Sequence, residues 1–256
     1  LHSIAVDVDQ CCINFVFESL LPRTNTSGSL PVYLQISEML IRDIGSGRLR
    51  DGERLPPERE MAASLSISVG TLRKSLGELE KQSLLERVHG SGNYVRASGN
   101  PSGVYAFFRL ELMEGGGLPT AEVLDIERLR KPDDLPPFGA SPEGHRIRRL
   151  RSLGGQPAAV EEIWLDGSYV ELLNRDAISE SLYLYYRQAL NLWITRVEDR
   201  VGVGSVPNWA PSAFGQPVGA PTGLVERLSF SKDGTVAEFS RNWFDADTVR
   251  YITRMK

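Results

Sequence analysis

Apolar residues recur at spacings of three and four over the first third of the chain and at spacings of two over most of the rest. A helical region is therefore predicted to precede a mainly β one. Behind Pro31, which presets φ for a first helical turn, Tyr33, Ile36, Leu40 and Ile44 form one stripe, and Gly45-Ser46-Gly47 closes it. Leu55-Pro56-Pro57 bends the chain into a short second helix. There Glu58 and Glu60 suit the positive end of the dipole, and Met61, Ala62 and Leu65 supply the buried side. Ser68 is the expected N-cap of a third helix. Its core stripe is Leu72, Leu76 and Leu79, so Gly70, Arg73, Lys74 and Gly77 lie on the outward arc with Thr71 at the flank. A hairpin follows, with its tip at His89-Gly90-Ser91-Gly92.

Beyond a linker at 97–103, rich in Gly, Ser, Asn and Pro, strands are predicted over 105–112 and 122–126. Residues 145–153 and 157–165 flank Gly154-Gly155-Gln156 as a hairpin. Residues 179–190 read as a helix with Leu182, Tyr185, Tyr186 and Ala189 on one stripe. Residues 194–203 alternate again, and 224–231 pairs with 235–244 across Lys232-Asp233-Gly234. Few of these strands are joined by helices, so a mostly antiparallel sheet with helices on one side, an α+β arrangement, is expected. Residues 1–29 fit neither region and read as an extended leader, disordered or foreign to the natural chain. They lack the basic start and unbroken apolar stretch of a secretory signal.

Composition narrows this little. The chain has 256 residues, enough for two modest domains, with 41% hydrophobic and 24% charged residues. No apolar run approaches the roughly 20 residues of a membrane span. The two cysteines, Cys11 and Cys12, are adjacent and cannot staple distant segments, a usage that fits the cytoplasm. Charge does discriminate. Residues 29–96 carry ten Lys/Arg against nine Asp/Glu, so a basic footprint is missing in bulk, and DNA binding must rest on where the basic residues lie. Helix, tight turn, helix and glycine-tipped hairpin in that order build a winged helix-turn-helix, which sets one helix into the major groove.

The stretch from Pro31-Val32-Tyr33 through Leu55-Pro56-Pro57-Glu58-Arg59-Glu60 and Thr71-Leu72-Arg73 to Gly90-Ser91-Gly92 resembles the DNA-binding domain of the GntR family of bacterial transcription regulators. The resemblance implies DNA contacts by Arg59 from the second helix and by Thr71 and Arg73 from the recognition helix, with Gly90 at the wing. Ser68, Lys74 and His89 complete the expected interface. One departure matters: the family usually has Arg where this chain has Val69. The ordinary alternative is a solvated face, with Arg59 serving only as an ion-pair partner of the neighbouring glutamates.

In the second region Arg149 and Arg151 lie two apart on one strand and share a face. Back-pairing across Gly154-Gly155 brings Glu161 or Glu162 near both guanidiniums, and Glu238 lies on a later strand. Two arginines suit a phosphate or carboxylate, and a glutamate suits hydroxyls or an amine. The alternative is a solvated cross-strand salt-bridge ladder. The segment His145-Arg146-Ile147-Arg148-Arg149-Leu150-Arg151 with Pro157-Ala158-Ala159-Val160-Glu161 is similar to the HutC subfamily, whose C-terminal half is the UTRA effector domain, related in fold to chorismate lyase. By this resemblance Arg149, Arg151, Glu161 and Glu238 line the effector site. Phe244 stands where members that sense phosphorylated sugars often have tyrosine. The lost hydroxyl weighs against a sugar phosphate.

The sequence thus predicts two domains: a winged helix-turn-helix at 30–96 and an effector and dimerisation domain at 104–256. The function expected is a homodimeric, cytoplasmic repressor that binds a near-palindromic operator in double-stranded DNA and is released by a small polar or anionic effector (a sugar, an amino acid or a conjugate). A lyase-type enzyme is the alternative. His2, His89 and His145 are scattered without metal-ligand spacing, and no nucleophile elbow or phosphate loop is present. No catalytic residue, metal or cofactor is therefore expected.

Overall fold

The computed structural model describes residues 31–97, 107–115, 117–178 and 181–254. The expected leader, most of the linker and the start of the 179–190 helix lie outside them. These described residues divide into two compact units, one holding those within 31–118 and 251–254, the other those within 119–250.

In the first unit α1 (Val32–Gly45) follows Pro31 as predicted, α2 spans Glu58–Ser64, and α3 spans Val69–Lys81. The Ser68 hydroxyl accepts the Thr71 N–H at 3.0 Å and so caps α3. Between α2 and α3 the turn is closed by Ser66, in the left-handed region at φ 52°. The Ile67 and Ser66 N–H groups donate back to the Ala62 and Ala63 carbonyls, a Schellman closure normally given to glycine. Hairpin strands β1 (Leu85–Val88) and β2 (Gly92–Val95) complete the wing. Leu40, Ile44, Met61, Leu65, Leu72, Leu76 and Leu79 meet in one core with Leu84, Leu85 and Val95. That core holds the outward arc of α3 in place.

Burial of α1 exceeds its predicted stripe: Gln35, Glu38, Arg42 and Asp43 are buried as well. Segments far along the chain are the cause. Arg42 Nη1 donates to the Gly117 carbonyl at 2.7 Å. On the short strand β3 (Leu110–Leu112), Glu111 receives both terminal nitrogens of Arg254, at 2.7 and 3.0 Å, and lies 3.7 Å from Arg48. Burial would raise the Glu111 carboxyl, but Arg254, Arg48 and Arg42 outweigh it and hold it below its ordinary value. The strand predicted over 105–112 is thus only three residues long within the described residues.

The second unit is a six-stranded antiparallel sheet built from β4 (Pro119–Arg130), β5 (Glu143–Leu153), β6 (Gln156–Asp166), β7 (Ile194–Ser205), β8 (Pro221–Ser231) and β9 (Val236–Phe244), in the order β4-β5-β6-β9-β8-β7. The β5–β6 hairpin turns on Gly154 and Gly155, both at positive φ, the geometry a two-residue turn requires. One helix, α4 (Leu182–Ala189), packs on one face through Leu182, Tyr185 and Tyr186 against Ile147, Ile163 and Leu165. The other face is covered by irregular chain: Phe214 and Trp209 lie over Leu150, Val160 and Trp243, and Leu135 and Phe138 lie over Trp164 and Phe239.

Candidate functional site

Charge in the first unit is sorted by geometry. Arg73 donates to Glu58 at 2.7 Å, Arg87 pairs with Glu80 at 3.1 Å, Lys81 with Glu78 and Arg96 with Glu86. Glu58 is therefore tied to Arg73 rather than to its neighbour Arg59. Arg73, helped by Asn93 and Arg87, keeps the Glu58 carboxyl below its ordinary value. Arg87 also donates to the Arg73 carbonyl at 3.3 Å, linking wing to helix. Among the described residues no carboxylate pairs with Arg59 or Lys74, and both are exposed. The near-zero net charge thus conceals cations that remain available on α2 and α3. Ser68, Thr71, His89 and Gly90 are exposed or half-exposed on the same helix start and wing tip. The Ser68 hydroxyl is shared between its cap and Thr71 Oγ1, 2.9 Å away.

The second unit concentrates charge instead of exposing it. Arg149 pairs across the hairpin with Glu161, and Arg151 with Ala159. The Glu161 carboxylate receives Arg149 Nη2 at 2.6 Å and Arg151 at 2.8 and 3.1 Å. Glu162 points to the other face, where it meets Arg148. The pair of guanidiniums and its carboxylate are buried, so a solvated ladder is excluded. Burial opposes the charge of Glu161, yet the two guanidiniums win and lower its carboxyl to about 2. On the same face β9 carries Glu238 and Phe244, two strands from β5. Glu238 accepts the Tyr186 hydroxyl at 2.7 Å and Ser229 at 3.0 Å. Burial pushes the Glu238 carboxyl up, against the hydrogen bonds of Tyr186 and Ser229 and the charges of Arg149 and Arg227. Phe244 lies flat over Gly223 of β8, where a Cβ would come within 2.2 Å of its ring. Two buried guanidiniums share one ionised carboxylate here, beside a carboxyl that burial shifts upward. This face suits an anion bearing hydroxyls.

Two family models match the chain: "Bacterial regulatory proteins, gntR family" over residues 32–95 and "UTRA domain" over residues 114–250. The chain belongs to the GntR family, in its HutC-type combination with a UTRA domain. It is 63% identical to the HTH-type transcriptional regulator SmoD of Agrobacterium fabrum, over 91% of this chain and 99% of that protein. It is 25% identical to the HTH-type transcriptional repressor NagR of Bacillus subtilis, over 90% and 97%. Among solved structures, the regulator YydK of B. subtilis has a TM-score of 0.50 at 21% identity, covering 89% of this chain and 100% of that one. The ligand-binding domain of a GntR-family regulator from Bordetella bronchiseptica has a TM-score of 0.51 at 21% identity, covering 59% and 98%. At such identities the likeness concerns the fold. This GntR-family protein is a DNA-binding transcription regulator with repressors among its relatives, not a lyase. Among the described residues, no helix is long and apolar enough to cross a membrane.

Several polar groups of the UTRA face were missed in the sequence. Spacing places Tyr186 in the helix core, and its ring is core, but its hydroxyl reaches Glu238. Tyr183, one turn earlier, meets the Ser229 hydroxyl at 2.9 Å. Arg227, bidentate on Asp199 at 2.6 and 2.7 Å, is a third guanidinium on this face. Asp199 and Tyr183 raise its pKa against the effect of burial. A signal did exist: Tyr183 and Tyr186 are one turn apart, and Arg227 and Ser229 keep the period of two. Trp193 is 47% exposed and stacks under Arg187.

Proposed function

We propose that this regulator is a dimeric repressor whose UTRA domain binds a small hydroxylated anion and thereby releases a near-palindromic operator. The observation that carries the reading is the buried Arg149–Glu161–Arg151 cluster beside the Tyr186–Glu238 hydrogen bond. Burying such charges costs several kcal/mol per ion before pairing offsets it, which suits a site built to meet a charged ligand. In this reading Arg149 and Arg151 hold the anionic group, Glu161 orients them, Glu238 takes hydroxyls and Phe244 forms an apolar wall. A relative 26% identical is the Mannosyl-D-glycerate transport/metabolism system repressor MngR of Escherichia coli. By name that repressor serves a system for a glycosylated carboxylate, the effector class favoured here.

Arg59, Ser68, Thr71, Arg73, Lys74, His89 and Gly90 form the DNA face, with Arg73 released from Glu58 to reach a base edge. Dimerisation is assigned to the second unit. β7 is an edge strand, and Val201 and Val203 on it are 56% and 82% exposed, a combination that usually demands cover. A coupling of about 1–3 kcal/mol between effector and DNA suffices for release, and it acts in the cytoplasm, where both meet.

The test combines a duplex selected by the protein from random sequence with a thermal-shift screen of sugar acids, sugar phosphates and amino acid conjugates. A compound that raises the melting temperature of wild type, fails with Arg149→Ala and weakens the gel shift supports the reading. Ligands that stabilise both proteins equally, or a gel shift indifferent to every stabilising ligand, would overturn it.

A further inference from the structure

A cleft of about 470 Å³ opens between the wing and the segment that enters α2, lined by Arg54, Pro56, Pro57 and Glu58 on one side and by Arg87 and 88–93 on the other. Its floor is rigid. The Leu55 N–H donates to the Asn93 carbonyl at 2.9 Å and the Val95 N–H to the Glu53 carbonyl at 2.8 Å, and Arg54 bridges Tyr94. Residues 53–55 therefore run as a third strand beside β2. On this floor the Arg54 guanidinium lies against Gly92, where a Cβ would stand 3.0 Å from its Nε. Gly92 has φ 138°, so the backbone favours glycine here, and the absence of a side chain lets the arginine lie close against it.

Arg54 is exposed, and among the described residues no carboxylate pairs with it. The one carboxylate lining the cleft, Glu58, is committed to Arg73. Arg87 is likewise committed, to Glu80, so Arg54 is the cation left facing the glycine backbone at Gly90 and Gly92. An exposed planar guanidinium on strand-paired backbone, with side-chain-free glycines across from it and the one lining carboxylate already paired, describes a seat for one phosphate.

We propose that Arg54 clamps a DNA backbone phosphate in this cleft, fixing the wing against the duplex without reading sequence. The inference rests on the DNA-binding role proposed above and adds a residue to it. Phosphate contacts position a protein on DNA and carry no sequence information. The loss of Arg54 should therefore fall equally on all duplexes.

The test measures affinity for a selected operator and for a scrambled duplex across salt concentrations, using full-length wild type, Arg54→Ala, Arg54→Lys and Arg50→Ala. Arg50 is a second exposed arginine of the same unit and does not line the cleft. The expected result is a slope of log affinity against log salt reduced by about 0.9 in Arg54→Ala, with equal fold-losses on both duplexes. Arg54→Lys should keep most of the slope and Arg50→Ala all of it. An unchanged slope in Arg54→Ala, a loss confined to the operator, or an equal loss in Arg50→Ala would each overturn the proposal. Failure of wild type to bind any duplex would instead overturn the DNA-binding role itself.

Discussion

The two units place the arginines of their candidate sites in opposite ways. In the DNA-binding unit Arg54, Arg59, Arg73 and Lys74 sit in water on fixed backbone, and the one ion pair among them, Arg73–Glu58, is exposed on the arginine side. In the UTRA unit Arg149, Arg151 and Arg227 are locked to Glu161 and Asp199 beneath α4 and the sheet rim. A polyanion that arrives with its own counterions is met by solvated charge, whose attraction is long-ranged and salt-dependent. A small ligand has to be chosen by shape and hydrogen bonds, which requires charges already desolvated and oriented. The same side chain serves both ends because burial decides what it contributes.

The sharpest way to break this comparison is to remove one partner from each kind of pair. Glu161→Ala leaves two buried guanidiniums facing each other and should cost about 3–5 kcal/mol of stability, read as a lowered urea midpoint. Arg73→Ala should cost at most about 1 kcal/mol of stability, because solvent screens its pair. The same change should remove about 1–3 kcal/mol of operator discrimination, read by anisotropy on matched and mismatched duplexes. Similar stability losses from both variants would erase the distinction.

Acid should separate the two carboxyls of the effector face. Glu161 has a native pKa of about 2 against an ordinary 4.5. The stability it contributes is complete above pH 4.5 and disappears as pH falls toward 2. Glu238 is shifted upward, so its contribution is complete below pH 4.5 and is lost as pH rises through its native value. Glu161→Gln should flatten the acid limb of a stability profile. Glu238→Gln, which can still accept the Tyr186 hydroxyl, should gain stability at neutral pH relative to wild type. An acid limb equally steep in Glu161→Gln, or a neutral-pH loss in Glu238→Gln, would contradict these assignments.

The smallest effect concerns the frame rather than the site. Ser68→Ala removes the α3 cap and should cost about 1 kcal/mol, measured by thermal melting. A larger drop in operator affinity than in stability would indicate that the hydroxyl also touches DNA.

Local chemistry made much of the fold readable. Pro31, Ser68, the Gly154-Gly155 turn and the apolar periods named the helices and the main hairpins, because each acts within a few residues of itself. Arg149, Arg151 and Glu161 were readable as a cluster for the same reason, since a tight turn converts a period of two into cross-strand neighbours. The Tyr186–Glu238 bond spans 52 residues, and the Glu111–Arg254 pair spans 143. No local pattern encodes such partners. Arg73 and Glu58 were singled out separately, but their pairing depends on how α2 crosses α3.

By itself the sequence determined the order and type of elements, the family, and which residue types could meet DNA or an anion. These depend on backbone preferences and side-chain periods that the chain carries wherever it goes. Only the tertiary structure decided which charges are solvated and which are sealed. It left Arg54 and Arg59 exposed, buried Arg42 and Arg149, and turned Glu162 away while Glu161 joined the cluster. Desolvation is a property of surroundings assembled from distant segments, and no residue carries it in its own identity.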